Sequence, residues 1–231
     1  MRHAIYYAPA RGSQLHELGS SWLGRDVFTG DPVRQPAFEG IREATAEPHR
    51  YGFHATLKAP FTMRQGLRRI DLGDAVSALA AGLDAISGIR LNVRHVDGFI
   101  ALVPERADER IANLAAICVK NLDPFRAAAG DDEVVRRRGL GLSQRQELHL
   151  RDWGYPYVLD EFRFHITLTR RVSETEALVL LPAALAHFRS VLRNPIAIDA
   201  LTIFAEAIPS GDFIVEERFP LRAVFLAKAA S

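Results

Sequence analysis

Residues 53–57 read FHATL, and residues 164–168 read FHITL. Laid out as strands, the two stretches turn successive side chains to opposite faces. In the first copy His54, Thr56 and Lys58 share one face, and Phe53, Ala55 and Leu57 share the other. In the second, Arg163, His165, Thr167, Thr169 and Arg171 oppose Phe164, Ile166 and Leu168. Each copy sets an imidazole and a hydroxyl on a polar face, backed by an apolar face fit for a core. One such strand means little, because a half-buried strand often carries polar residues on its wet side. Two of them in one chain call for a reason.

The flanks repeat as well. After the first motif strand, 52–58, Leu72, Val76, Leu79, Leu83 and Ile86 fall at helical spacing over about 72–87. A hairpin follows, IRLNVRHV (89–96) and FIALVP (99–104), closed by Asp97-Gly98, a pair suited to the positive φ of a two-residue turn. After the second motif strand, 163–169, Ser173 and Glu176 form a capping box for a helix reaching about 192. Then PIAIDALTIFAEAI (195–208) and DFIVEERFPL (212–221) flank Pro209-Ser210-Gly211. From motif histidine to first hairpin strand is 35 residues in one half and 31 in the other.

Strand, helix and hairpin written twice read as an internal duplication. The expected fold is α/β (α+β), one bilobal domain over 1–231 with a pseudo-twofold axis. Lobe-forming repeats lie at about 50–122 and 162–228, joined by a strand at 3–8 (HAIYYA) and by segment 123–161. Ser13 caps a helix bearing Leu15, Leu18, Trp22 and Leu23, and residues 24–50, without sustained periodicity, read as a long connection. A further helix is expected over 106–121. Residues 131–156 read as one or two helices, the second capped by Ser143 with Gln146, and Arg136, Arg137 and Arg138 read as a solvated face beside Asp131, Asp132 and Glu133.

Composition narrows the chemistry. With 29 Lys plus Arg against 28 Asp plus Glu in 231 residues, no global basic field draws this chain onto long RNA or an anionic membrane, so any anion site is local. Cys118 is alone, which excludes an intramolecular disulfide or a cysteine metal cluster and fits a cytoplasmic location. The N-terminal apolar run is too short for an export signal, and no segment is expected to reach the ~18 apolar residues of a membrane span. The patterns G-x-x-x-x-G-K-[ST], G-x-G-x-x-G after a strand and G-x-S-x-G are absent, which leaves triphosphate, dinucleotide and serine-hydrolase readings unsupported. His49 lies an odd number of residues from His54 and so on the opposite strand face, and no metal site is expected.

Histidine is the side chain whose ordinary pKa, about 6.5, lets both protonation states coexist near neutrality. If the halves pack symmetrically, two imidazoles converge on one cleft, and one takes a proton while the other gives one. Thr56 and Thr167 are candidates to hydrogen-bond an anionic oxygen, with Lys58, Arg163 and Arg171 as candidate counter-charges. Tyr6 or Tyr7 lines the cleft from the first strand, only one of them facing inward, and Tyr7 is the one assigned to substrate. In-line displacement at a phosphodiester suits this set.

The two His-x-Thr-x motifs, His54-Ala55-Thr56-Leu57 and His165-Ile166-Thr167-Leu168, resemble those of the 2H phosphoesterase superfamily. The phrases RYGFHATLKAPF (50–61), NLDPFRA (121–127), WGYPYV (153–158) and FRFHITLTRR (162–171) are similar to its DUF1045 branch, whose members are associated with phosphonate-utilisation operons. The resemblance implies two antiparallel sheets around a central cleft with outer helices, and metal-independent, cofactor-free cleavage of cyclic phosphodiesters or 2′,5′-linked nucleotides. It places the catalytic pair at His54 and His165 and the phosphate-binding hydroxyls at Thr56 and Thr167. The branch association points to a small cyclic phosphate, such as a ribosyl 1,2-cyclic phosphate. The alternatives are an RNA-end 2′,3′-cyclic phosphodiesterase or 2′,5′-ligase-like enzyme, and a non-catalytic phosphometabolite-binding protein.

Overall fold

The capping residues act where the sequence places them. In the computed structural model, which describes residues 1–139 and 141–223, Ser13 accepts from the His16 amide to start α1 (Gln14–Leu23), and α2 follows at Ile41–Tyr51. The remaining helices are α3 (Arg69–Ala81), α4 (Glu109–Asn121), α5 (Asp131–Arg138), α6 (Gln144–Trp153) and α7 (Glu174–Leu192). Ser143 with Gln146 and Ser173 with Glu176 form complete capping boxes on α6 and α7. The strands are β1 (Arg2–Tyr7), β2 (Ala55–Thr62), β3 (Ile86–Ile89), β4 (Leu91–Val96), β5 (Phe99–Pro104), β6 (Ile166–Thr167), β7 (Ile196–Ile198), β8 (Ala200–Glu206) and β9 (Phe213–Pro220).

Seven of these strands pair antiparallel in the order β4-β5-β6-β2-β1-β8-β9, and β3 pairs with β7 apart from them. The motif strands β2 and β6 are neighbours at the centre, joined through Ala55 and Ile166, so the two lobes' strands run together as one sheet. The lobes are not the sequence repeats. The hairpin of the first repeat, β4-β5, lies beside the second motif strand, while β8-β9 of the second repeat lies with β1 and β2. Each repeat donates its hairpin to the other's half of the sheet. Asp97 (φ 50°) and Gly98 (φ 84°) close the first hairpin in the left-handed region, as their identities require.

One face of the sheet carries the main core. Ile5, Tyr7, Ala55, Leu57, Ile166, Leu201 and Ile203 meet Trp22 of α1, Val76 of α3, Leu114 of α4 and Phe188 of α7 there. The opposite face holds a smaller cluster, Ala4, Tyr6, Ala8, Val27, Phe204 and Phe213, with Tyr51 packed against it. Val27 belongs to segment 24–50, and its carbonyl accepts from the Val215 amide, so that segment folds over the sheet rather than merely connecting. The segment also contains α2, with Pro48 inside it, which masked the helix from a periodicity reading.

Three further expectations shift. The helix expected to about 87 ends at Ala81, because Ile86 and Ile89 pair instead with Ile198 and Ile196. The second motif strand shrinks to two residues, since His165 Nδ1 occupies the Arg163 carbonyl and the Thr169 hydroxyl takes the Ile100 amide. Finally, α7 is long and apolar enough by composition to cross a membrane, with a mean hydropathy of 1.3, contrary to expectation. It lies against the sheet, with Leu180, Ala184 and Phe188 in the main core.

Candidate active site

The first motif begins at a glycine that nothing else replaces. Gly52 ends α2 at φ 74°, and a Cβ there would come within 2.3 Å of Val27 Cγ2. Its carbonyl accepts from His54 Nδ1 at 2.8 Å. The second motif repeats this bond, with His165 Nδ1 at 2.8 Å from the Arg163 carbonyl. A carbonyl only accepts, so both rings carry the proton on Nδ1 when neutral and offer Nε2 for proton transfer. Thr56 Oγ1 lies 3.3 Å from His54 Nε2 and donates to it in that tautomer.

Register places the four motif side chains together. Ala55 stands opposite Ile166, and carrying that pairing one residue each way sets His54 beside Thr167 and Thr56 beside His165 on the face away from the main core. The two histidines are then diagonal neighbours, with backbones ~7–8 Å apart. All four are half-buried.

The surroundings of the two rings differ. Tyr6 stacks on His54 with centroids 3.8 Å apart and planes at 23°, and Phe204 and Tyr51 lie at 6.0 and 6.2 Å. Desolvation by this aromatic packing, with the charges of His165 and Arg25 adding to it, pushes the His54 pKa down to about 4 against the raising effect of its bond to Gly52. Arg25 is itself buried, donating to the carbonyls of His49 and Arg50 at the end of α2 and to that of Phe213. Beside His165 lies Phe99, tilted with ring centroids 5.5 Å apart.

The other candidates separate. Lys58 does not share a face with His54. Ile5 pairs with Lys58 and Tyr6 with Thr56, so Leu57 is an extra residue, a bulge that turns Lys58 to the core side. Lys58 Nζ is buried there, donating to the Val119 carbonyl and to Asp123 at 3.2 Å each. Tyr7 also faces the main core, at 2% exposure, and Tyr6 is the tyrosine on the histidine face. Arg163 is exposed and donates to the Asp160 and Phe162 carbonyls; Arg171 is exposed and donates to the Asp97 carbonyl at the hairpin turn. Tyr51 and Arg25 escaped the sequence reading. Tyr51 had a signal, its place in RYGFH immediately before the glycine that bends the chain into the motif. A cavity of about 940 Å³ lies elsewhere, between residues 32–38 and α2, and no motif side chain lines it.

Comparison with known proteins gives three kinds of likeness. Residues 56–214 match the family described as "Protein of unknown function (DUF1045)". The chain is 39% identical over 228 residues to "Ribose 1,5-bisphosphate phosphokinase PhnN" of Janthinobacterium sp. (strain Marseille), covering 95% of this chain and 50% of that one. It spans about half the length of the curated relatives it matches. Among solved structures it is similar to a "phosphoesterase" (TM-score 0.41, 14% identity, 95% of this chain and 98% of that one). It is also similar to TT0787 of Thermus thermophilus (TM-score 0.45, 18% identity, 96% and 99%). By the match over 56–214, this chain belongs to the DUF1045 family.

Proposed function

We propose that this chain is a metal-independent phosphodiesterase that opens a small cyclic phosphate by general acid and base catalysis at His54 and His165. The observation that carries the reading is the matched pair of 2.8 Å bonds from Nδ1 to the carbonyl two residues back, on neighbouring strands, which reserves both Nε2 atoms for proton transfer, that of His54 meeting the Thr56 hydroxyl. His54, held neutral by burial, takes the proton of the attacking water. His165 gives a proton to the departing oxygen on the other side of phosphorus. On binding, Thr56 exchanges its bond to His54 Nε2 for one to a non-bridging oxygen, and Thr167 donates to the other. An anionic phosphate beside His54 Nε2 favours its imidazolium and so opposes the desolvation that keeps it neutral in the free protein.

The curated relatives are named for ribose 1,5-bisphosphate, and this chain contains no G-x-x-x-x-G-K-[ST] loop, so the link taken from them is to a ribose phosphate rather than to a kinase reaction. The purified protein, assayed with a chelator against ribosyl 1,2-cyclic phosphate and nucleoside 2′,3′-cyclic phosphates, is expected to turn over the former faster. Replacement of either histidine by Ala costs roughly 10²–10⁴-fold in rate. Activity that appears only with added divalent metal refutes this mechanism.

A further inference from the structure

A helix on the outside of a globular domain turns its apolar stripe to the core and polar residues to water. In α4 the exposed residues, Glu109, Arg110, Asn113, Lys120 and Asn121, are all polar. In α7 they are not. Leu180, Ala184 and Phe188 of α7 pack into the main core, yet Leu178 is 77% exposed, Val179 66% and Leu185 38%. Pro182 and Ala186 are exposed between them. At about 3.6 residues per turn these five side chains form one stripe, on the side of the helix opposite the buried one. This outer stripe, added to the inner one, is what gives α7 the composition of a membrane span.

The stripe ends in opposite charges. Glu174, in the first turn, has a side chain 93% exposed, with His95 Nδ1 3.8 Å away. Arg189, in the last turn, is exposed and has no ion-pair partner among the described residues. Both fall on the same side of the helix as Leu178 and Leu185. An apolar band that is acidic at one end and basic at the other is complementary to itself turned end for end. A two-fold axis through Pro182 sets Leu178 against Ala186 and Val179 against Leu185, and brings the turn of Glu174 to the turn of Arg189. The short side chains of Pro182 and Ala186 at the centre let the two helices reach an ordinary packing distance of about 8–10 Å. Antiparallel packing also lays the positive end of each helix beside the negative end of the other.

We propose that the outer face of α7 is a homodimer interface, on which a second copy of this chain lays its own α7 antiparallel across Leu178, Pro182 and Leu185, with Glu174 meeting Arg189 of the partner subunit at both ends. Such a contact uses the same patch on both copies, so it closes at two chains and builds no filament. The helix lies on the main-core face of the sheet and the motif histidines on the other face, so pairing leaves both motif faces uncovered. The assignment therefore stands apart from the catalytic reading. One helix face offers less than the ~800 Å² per partner of a standard interface, which makes this a weak dimer with a Kd of about 10–100 µM.

Sedimentation velocity of the purified protein from about 1 to 300 µM tests this, and the wild type is expected to pass from monomer to dimer over that range. Leu178→Asp and Leu185→Lys should each weaken association at least ~10-fold, and Leu178→Asp should leave the melting temperature of the dilute protein unchanged because the side chain is already in water. Glu174→Lys and Arg189→Glu should each weaken it roughly 3–10-fold, since the symmetry repeats every change at two places in the contact. The double variant, with the two charges exchanged, should return to within about threefold of the wild type. A wild type that stays monomeric at the highest concentration, or a dimer indifferent to both leucine substitutions, overturns the interface. Failure of the exchanged charges to restore association overturns the antiparallel pairing. Monomers that bind phosphatidylserine vesicles, and cease to do so with Leu178→Asp, assign the face to a lipid surface and overturn the proposal as well.

Discussion

His54 gives the sharpest physical test, because its burial makes a statement about stability as well as catalysis. Its pKa falls from the ordinary 6.5 to about 4 in the folded chain, chiefly through desolvation under Tyr6. Above about pH 6.5 both folded and unfolded chains carry it neutral, and it contributes nothing to the pH dependence. Between 6.5 and 4 the unfolded chain binds a proton that the folded chain refuses, so stability falls as pH falls through that window. Below about 4 the loss levels off, at roughly 3 kcal/mol for a difference of this size. His54→Asn removes the titration from both states. Urea unfolding of wild type and variant from pH 7.5 to 4 is expected to show the wild type losing about 3 kcal/mol relative to the variant, nearly all of it below pH 6.5. Ring-proton NMR should find His54 titrating near 4, and the acidic limb that His54 imposes on kcat/KM should lie equally far below 6.5. Parallel stability curves, or a His54 ring titrating near 6.5, refute the assignment of a buried neutral base.

Lys58→Met is expected to cost about 2–4 kcal/mol in unfolding free energy, because Asp123 and the Val119 carbonyl lose a buried donor, while KM stays unchanged; chemical denaturation and steady-state kinetics read the two separately. Thr56→Val should lower kcat/KM by about 10²-fold and Thr56→Ser should recover most of it, as for loss and restoration of one preorganised donor; no recovery with Ser would assign Thr56 a packing role. Gly19→Ala places a methyl 2.2 Å from the Phe53 ring, next to His54, and is expected to destabilise by ~1–3 kcal/mol, a fall of roughly 2–4 °C in Tm for each kcal/mol, measured by calorimetry.

The duplicated pentapeptides, the caps at Ser13, Ser143 and Ser173, and the Asp97-Gly98 turn were legible because each is local chemistry that neighbouring residues cannot override. What misled the reading was everything decided by pairing. Strict alternation put Lys58 beside His54, but a strand's period of two survives only while its partner advances in step. Opposite β1 the chain slips by one residue at Leu57, and a charged side chain passes from one face to the other. Tyr6 and Tyr7 were likewise ambiguous until β1 had neighbours on both edges: Thr56 and Thr202 flank Tyr6, while Ala55 stands opposite Tyr7. The exchange of hairpins between repeats is hidden for the same reason, since spacing in sequence says which strands exist and not which edges they join.

That exchange also bears on how two equal motifs would serve the proposed reaction, which needs unequal partners. Duplication alone yields two imidazoles pinned alike, each by Nδ1 to a carbonyl two residues back, and the proposed reaction needs one of them neutral while the other is protonated. The difference comes from the strands beside them. β2 lies against β1, whose Tyr6 covers His54 at 3.8 Å, with Phe204 of β8 behind it. β6 lies against β5, whose pairing there places Ala101 opposite Thr167 and leaves Phe99 tilted at 5.5 Å from His165. An aromatic lid on His54, where the other half of the sheet sets only Ala101 opposite the motif threonine, breaks the symmetry in packing while the backbone keeps it in geometry. The lowered proton affinity of His54 is thereby set by what packs over it, and the proposed role of base for His54 follows from Tyr6 more than from the motif itself.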